Sequence, residues 1–133
     1  MPPAGTGRET ASDLLRPVAQ DVFLDLAGRG HRQVAEDDAG RIVGSCGIYA
    51  LEPGVCELRK MYVLPSARGH GLGKKFLERA LARARALGYR RIELDTASCL
   101  KEAIGLYRKY GFRDIVKPGI PARCDTAMAL ELA

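Results

Sequence analysis

The residues best suited to chemistry are three glycines at alternate positions, within the segment Arg68-Gly69-His70-Gly71-Leu72-Gly73. This segment lies between a predicted strand and a predicted helix. Glycines so close together lack the side chains that would screen backbone N–H groups, so those donors can converge on an anion at the helix start. The helix dipole adds partial positive charge there, and Arg68, Lys74 and Lys75 add full charges. The pattern predicts a site for a pyrophosphate or a similar polyanion.

The spacing of the glycines excludes two common phosphate sites. A dinucleotide-binding turn needs G-x-G-x-x-G, whereas this chain has G-x-G-x-G. A Walker loop ends in Gly-Lys-Ser/Thr, but Gly73 is followed by Lys74 and Lys75, and no hydroxyl is in place to hold a metal. A glycine-rich loop that only turns a strand into a helix is the structural alternative.

Three segments together resemble the GNAT acetyltransferases. Residues 68–73 resemble the acetyl-coenzyme A signature of that family, which is Arg or Gln, two residues, Gly, one residue, and then Gly or Ala. Residues 98–112 resemble its second signature, a helix that ends in Ala-x-x-Leu-Tyr-x-x-x-Gly-Phe. Residues 34–44 resemble the strand, turn and strand that open its central sheet. The resemblance covers about residues 32–132.

The resemblance implies an α/β fold of the GNAT type. We expect a mixed, mostly antiparallel twisted sheet with helices on both faces and a shortened front end. The implied function is an N-acetyltransferase that moves an acetyl group from acetyl-CoA to a primary amine of a small molecule or peptide by direct attack. The alternative is a catalytically degenerate domain that binds CoA or a protein partner without turnover.

The resemblance also assigns residues to the binding of acetyl-CoA. The backbone N–H of Val63 is implied as the donor to the tetrahedral oxyanion, and Met61 and Val63 are implied to pair with the pantetheine arm. One departure is Leu100, which stands where family members often carry an Asn that contacts this arm. The residues expected to bind the coenzyme are Met61, Tyr62, Val63, Arg68, Gly69, His70, Gly71, Leu72, Gly73 and Lys74.

Two residues are candidates for proton transfer. Glu57 lies where the family's catalytic glutamate often lies, so we hypothesise that it is the general base, directly or through water. The alternative is a strand carboxylate paired with Arg59 or Arg91. Tyr107 lies on the Leu-Tyr position of the second signature, which implies a general acid that protonates the departing thiolate. The alternative for Tyr107 is an aromatic ring packed on the sheet.

Hydrophobic spacing predicts the elements that position these residues. We expect Glu57, Arg59, Met61 and Val63 to share one face of their strand, and Ser98 to cap the last helix. The strand, helix and strand at 55–96 predict a parallel pair. The predicted elements are a helix over 14–27, a hairpin of 33–36 with 41–51, strands at 55–63 and 91–96, helices at 72–87 and up to Tyr110, and closing strands at 112–117 and 124–132.

Composition is consistent with a single modest domain. The chain has 133 residues, and we expect a disordered tail at 1–12 and one domain over 13–133. The four cysteines form no C-x-x-C pair, which favours reduced thiols in a cytoplasmic protein and no metal site. Cys99 has no His or other base near it in sequence, and transfer in the GNAT family is direct, so we expect Cys99 to be a small buried residue. No apolar stretch is long enough to span a membrane. A homodimer is left open.

The net charge of +5 raises the question of nucleic acid binding. Eight Lys and Arg residues lie between Arg68 and Arg91, against one acidic residue, Glu78. Aromatic residues do not interleave with these charges, and most of them fall on the polar face of one predicted helix. We therefore expect no nucleic acid partner and assign the charges nearest the glycines to the phosphates of the coenzyme.

Overall fold

A single mixed sheet forms the centre of the protein. The computed structural model of the chain describes residues 16–17, 23–24, 30–37, 39–69, 71–120 and 124–132. The strands are β1 Arg16–Pro17, β2 Phe23–Leu24, β3 Gly30–Glu36, β4 Ile42–Glu52, β5 Val55–Val63, β6 Arg91–Thr96, β7 Arg113–Ile115 and β8 Thr126–Glu131. Their order in the sheet is β1-β3-β4-β5-β6-β8-β7, and β2 also pairs with β3. The helices are α1 Leu72–Ala86 and α2 Lys101–Lys109, and a one-turn 3-10 helix spans Pro65–Ala67.

Several predicted elements are confirmed, because their signals are local. The strands β5 and β6 have the predicted bounds, and α1 ends one residue earlier than predicted. The β3–β4 turn is set by Asp37, whose side chain accepts hydrogen bonds from the N–H groups of Ala39 and Arg41, and by Gly40 at φ +83°. The pairing of β5 with β6 is parallel and the other strand pairs are antiparallel, as expected.

Both described helices pack into one core on the same sheet face, which carries Cys56 and Leu58, so the expectation of helices on both faces is not met by the described residues. The ring of Phe76 is fully buried, which contributes roughly 1.5–3 kcal/mol of stability. The two helices also touch one another, since the Tyr110 hydroxyl donates to Glu78 at 2.5 Å. The residues that α1 buries are Leu72, Phe76, Leu77, Ala80, Leu81 and Ala84, which match the predicted stripe except for exposed Leu87.

The predicted helix over 14–27 is wrong where the structure describes it. Arg16–Pro17 and Phe23–Leu24 are short strands that pair antiparallel with β3. The edge of β3 presents backbone donors and acceptors, and pairing with them outweighs the weak local preference that the four-residue spacing reports. The other residues of that predicted helix lie outside the described part of the chain, as do those of the predicted tail at 1–12.

Two expectations near the C-terminus also need correction. Ser98 does not cap α2, because its N–H and its hydroxyl both donate to Asp125 at 2.6 Å. The residue before α2 is Leu100, and no side chain caps that helix. The closing strands are shorter than predicted, and the segment 116–120 between them has no regular structure.

A bulge in β5 overturns the predicted sharing of a face by Glu57, Arg59, Met61 and Val63. Ser45 pairs with Tyr62 and Gly47 pairs with Arg59, so two residues of β5 lie opposite one residue of β4. The extra residue reverses the alternation of side chains, because the period of a strand is two. Met61 and Val63 therefore pack against the same core as Leu58.

Candidate active site

A cleft of about 650 Å³ opens between β5 and the two helices. Its size falls within the usual range for a cofactor or ligand site. One wall is the end of β5 with the turn into α1, and the other wall is the segment from Cys99 to Tyr107. The lining residues are Met61, Tyr62, Val63, Ala67, Arg68, Gly69, Gly71, Leu72, Gly73, Cys99, Leu100, Lys101, Glu102, Ala103, Leu106 and Tyr107.

The glycine turn gives the cleft its backbone donors. Gly69 and Gly71 have φ of +85° and +81°, a left-handed conformation that glycine adopts without strain. Gly71 precedes α1, and no side chain caps the helix there. The N–H of Lys75 makes the first helical hydrogen bond, to the Gly71 carbonyl at 3.1 Å, so the three preceding N–H groups have no acceptor within the helix. The turn therefore presents N–H groups and the positive end of a helix dipole.

The sheet splits beside this turn. Pairing between β5 and β6 is limited to Val55–Glu57 with Arg91–Glu93, while β5 continues to Val63. Gly44 and Val63 form the type of antiparallel pair that exchanges no hydrogen bond, since the N–H of the next residue, Leu64, donates to the carbonyl of Val43 at 2.9 Å. The N–H of Val63 therefore points away from β4, toward the open side of the split.

Arg68 ties the turn to the strand. Its Nε donates to the carbonyl of Val63 at 2.8 Å, and its guanidinium lies 5.8 Å from the centre of the Tyr62 ring. Tyr62 is half exposed, so this contact lies at the mouth of the cleft. Arg68, which was predicted to bind the coenzyme, thus also ties the end of β5 to the start of α1.

Tyr107 is the buried side chain at the deep end of the second wall. Only 5% of its surface is exposed, and its ring packs against Phe112 with a centroid separation of 5.6 Å. Burial, with a smaller contribution from Cys46, raises the pKa of its hydroxyl to about 12. The hydroxyl therefore keeps its proton at neutral pH.

Glu57 lies on the opposite face of the sheet from the cleft, at the point of the split. It is the last residue of β5 that pairs with β6, and its partner is Glu93. Its side chain is 12% exposed, accepts a hydrogen bond from Arg59 Nε at 2.6 Å, and lies 3.7 Å from Lys117 Nζ. The pairing with Arg59 is the alternative predicted for this carboxylate, whereas Arg91 instead contacts Glu93 and Glu131.

The structure brings most of the predicted residues into one place. Met61, Tyr62, Val63, Arg68, Gly69, Gly71, Leu72, Gly73 and Tyr107 all line the cleft. Lys74 is exposed just outside it, Glu57 lies behind it, and His70 is outside the described residues.

Sequence reasoning missed most of the second wall. Cys99 was expected to be a small buried residue, but it is exposed and lines the cleft, as does Leu100. Helical spacing could have identified this wall, because positions 99, 103, 106 and 107 fall on one face of a helix that starts near 99. The residues missed are Ala67, Lys101, Glu102, Ala103 and Leu106.

The described part of the chain contains neither a cluster of metal-ligating side chains nor a membrane-spanning helix. It contains no cluster of three or more His, Cys, Asp or Glu side chains suited to a metal ion. Neither of its helices is long and apolar enough to cross a lipid bilayer.

Known proteins match this chain over most of its length. It is 45% identical over 102 residues to the uncharacterized N-acetyltransferase YjgM of Escherichia coli K12, which covers 74% of this chain and 61% of YjgM. It is 42% identical over 105 residues to the IAA acetyltransferase of Azospirillum brasilense, covering 75% of this chain and 68% of that protein. The chain thus spans less than two thirds of the length of YjgM.

A solved structure and a family model also match this chain. A phosphinothricin acetyltransferase from Sinorhizobium meliloti, in complex with acetyl-CoA, superposes with a TM-score of 0.66 at 26% identity, covering 77% of this chain and 61% of that one. The model of the acetyltransferase (GNAT) family matches residues 7–112. The expected fold is therefore confirmed, and the chain belongs to the GNAT family of acetyltransferases.

Proposed function

We propose that this protein transfers an acetyl group from acetyl-CoA to the amine of a small molecule or peptide, by direct attack of the amine on the thioester. The observation that carries the proposal is a cleft that joins an uncapped helix start, a split in the sheet and a buried tyrosine. Each feature matches one part of the reaction. The names of the related IAA and phosphinothricin acetyltransferases favour a small-molecule acceptor.

The diphosphate of the coenzyme would bind at the glycine turn. The N–H groups at the start of α1 and the helix dipole favour an anion, and the first turn of α1 contains no acidic residue that would oppose one. Lys74 and Lys101 add positive charge at the two sides of the cleft. His70 lies within the same turn and belongs to this proposed set.

The pantetheine arm would lie along the free edge of β5. The edge is available because β6 leaves β5 after Glu57, so an extended ligand can pair there as an added strand. The N–H of Val63 points into this space and is proposed to donate to the oxyanion that forms when the amine attacks. Met61, which the bulge turns toward the cleft, would contact the arm from below.

Proton removal from the amine is assigned to Glu57 acting through water. An acceptor amine is an ammonium at neutral pH, since its pKa is about 10, so it must lose a proton before it attacks. Six residues of extended chain span roughly 20 Å, which separates Glu57 from Val63 by too much for direct contact with a small acceptor. The path from the amine to Glu57 through the split in the sheet would therefore need a chain of several water molecules, and not one bridging water.

Tyr107 is proposed to supply the proton that the departing sulfur needs. In the collapse of the tetrahedral intermediate the C–S bond breaks, the electron pair goes to sulfur, and the tyrosine hydroxyl donates its proton there. Because its pKa is raised, the hydroxyl carries its proton at neutral pH and is available to donate to the sulfur as negative charge develops there.

Release of free thiol from acetyl-CoA with a panel of primary amines tests the proposal. We expect amine-dependent release by the native chain, and a large loss in Glu57→Gln. A matched control is Glu52→Gln, which changes an exposed glutamate at the end of β4 and should leave the rate unchanged. Tight binding of acetyl-CoA in calorimetry without release for any amine would instead indicate a domain that binds the coenzyme without turnover.

The four free thiols and the dependence on acetyl-CoA support a cytoplasmic location as part of this proposal. Fractionation of cells that produce the full-length protein would test it directly.

A further inference from the structure

Lys117 is inserted among three carboxylates on the sheet face behind the cleft. Its Nζ lies 2.9 Å from Asp95 and 3.7 Å from each of Glu57 and Glu93. All four side chains are mostly buried, with 12–21% of each exposed. Nothing in the sequence pattern singled out this lysine.

The fold explains why Lys117 reaches these carboxylates from the far end of the sheet. It follows β7, and β8 lies between β7 and β6. The residues of β8 that pair with Glu93 and Asp95 are Ala129 and Ala127, whose small side chains leave room for a long one to pass. Pro118 follows Lys117 and favours an extended backbone at the lysine, which continues the line of the strand.

The position of the ammonium relieves a specific repulsion. Glu57 and Glu93 are direct neighbours on adjacent strands, and like charges in that arrangement destabilise one another. Lys117 lies at the same distance from both, so it compensates both charges at once. Without it, one carboxylate of such a pair binds a proton more readily.

Two arginines also contact the Glu57–Glu93 pair, and each of them binds only one of the two carboxylates. Arg59 binds Oε1 of Glu57, whereas Lys117 lies near Oε2 of the same carboxylate. Arg91 is shared between Glu93 and Glu131. Among the described residues, the charged and titratable groups around Lys117 are therefore Glu57 and Arg59 of β5, Arg91, Glu93 and Asp95 of β6, Glu131 of β8, and Arg113 of β7, which contacts Glu131.

The lysine itself is held as a cation. Burial alone would lower the pKa of Lys117, but its contact with Asp95 and the charges of Asp95, Glu57 and Glu93 outweigh burial and raise the pKa above its ordinary value. The amine is therefore a fixed positive charge over the working pH range.

We propose that Lys117 is a positioning residue of the acetyl transfer: it bridges Glu57 and Glu93 and so keeps Glu57 ionised and able to accept the proton of the acceptor. The inference rests on the proposed function, since it assigns Lys117 a role through the proposed base. Lys117 itself touches neither the cleft nor the coenzyme site.

The test compares Lys117→Met with Lys117→Arg in the full chain. For Lys117→Met we expect the acidic limb of the kcat/KM profile to move to higher pH by roughly 1–3 units, because the like-charge pair loses its compensating cation. The rate should recover at high pH, and Lys117→Arg should keep the native profile. Adding Glu93→Gln to Lys117→Met should move the limb back, since the repelling partner is gone.

A second measurement separates this inference from the proposed function. The side-chain carboxyl carbons are titrated by NMR, which needs no turnover, and Lys117→Met should raise the pKa of the Glu57–Glu93 pair. Lys109→Met, an exposed lysine at the end of α2, is the control expected to change neither readout. Calorimetry with CoA and the thermal midpoint establish that each variant is folded.

The outcomes distinguish the two ideas. A titration that does not move in Lys117→Met overturns the role of Lys117, whatever the activity. A titration that moves while the kcat/KM profile does not shows that Glu57 is not the base, and an absence of turnover in the native chain counts against the proposed acetyl transfer itself. In either case the positioning role is also overturned. If Glu93→Gln in the Lys117→Met background does not return the acidic limb of the kcat/KM profile toward its native pH, Lys117 does not act by bridging Glu57 and Glu93.

Discussion

The left-handed conformation of Gly71 provides the sharpest test of the coenzyme site. An alanine at φ near +80° costs roughly 1–2 kcal/mol, since its Cβ crowds the backbone. Gly40, in the β3–β4 turn, has almost the same φ, and no atom lies within 4 Å of a Cβ built at either glycine. Gly71→Ala and Gly40→Ala should therefore lose similar amounts of unfolding free energy, measured by chemical denaturation.

Their effects on coenzyme binding should differ. Relief of the strain in Gly71→Ala turns the N–H groups at the start of α1 away from their common target, and a hydrogen bond to a charged group is worth about 1.5–3 kcal/mol. Loss of one such bond weakens the Kd for acetyl-CoA by roughly 10- to 150-fold in calorimetry. Gly40→Ala should retain the native Kd. Equal Kd values in the two variants would refute the assignment of the diphosphate to this turn.

Three further predictions concern catalysis, helix stability and acid stability. Tyr107→Phe should lower kcat roughly 100-fold through loss of a general acid, with an unchanged Kd for CoA in calorimetry; a kcat within twofold of the native value would remove Tyr107 from the mechanism. Gly105→Ala, in the middle of α2 with no atom within 4 Å of the added methyl, should stabilise the protein by roughly 0.5–1 kcal/mol in denaturant titrations, and a loss of stability would contradict the open surroundings. The hydrogen bonds from Ser98 hold the pKa of Asp125 below its ordinary value, so its stabilising contribution is present above the unfolded pKa of about 4 and is lost as pH falls through the folded pKa. The difference in thermal midpoint between the native chain and Asp125→Asn should therefore shrink as the pH falls from 5 to 3. A constant difference would argue against a stabilising role for the hydrogen bonds from Ser98 to the ionised Asp125.

Some of the site could be predicted because its signals are local. The turn at 68–73 depends on neighbouring residues alone, and the structure shows left-handed glycines at 69 and 71 followed by a helix start with no side-chain cap. The position of Tyr107 in its helix follows from a spacing of a few residues. For the same reason the bounds of β5 and β6 match the prediction.

Other features depend on residues that are distant in the chain, and no local pattern reports them. Within the predicted helix over 14–27, the residues 16–17 and 23–24 instead form strands that pair with the edge of β3. This edge is available as a partner only after the sheet has formed. Serine often caps helices, so Ser98 was expected to do so. Instead, its N–H and its hydroxyl both donate hydrogen bonds to the carboxylate of Asp125, 27 residues away. The ion cluster of Lys117 likewise joins residues separated by up to 60 positions along the chain, from Glu57 to Lys117.

By itself, the order of residues predicted an anion site at the glycine turn, the bounds of β5 and β6, and the family that this chain resembles, because those signals follow from conformational preference and spacing over one or two turns. The tertiary structure alone decided how the parts face one another. The bulge in β5 sends Met61 and Val63 to the cleft and leaves Glu57 behind it. The parting of β5 from β6 leaves the edge of β5 beyond Glu57 unpaired with β6. Both arise from pairing between whole strands, whose register is set by the packed sheet and not by any single stretch of sequence.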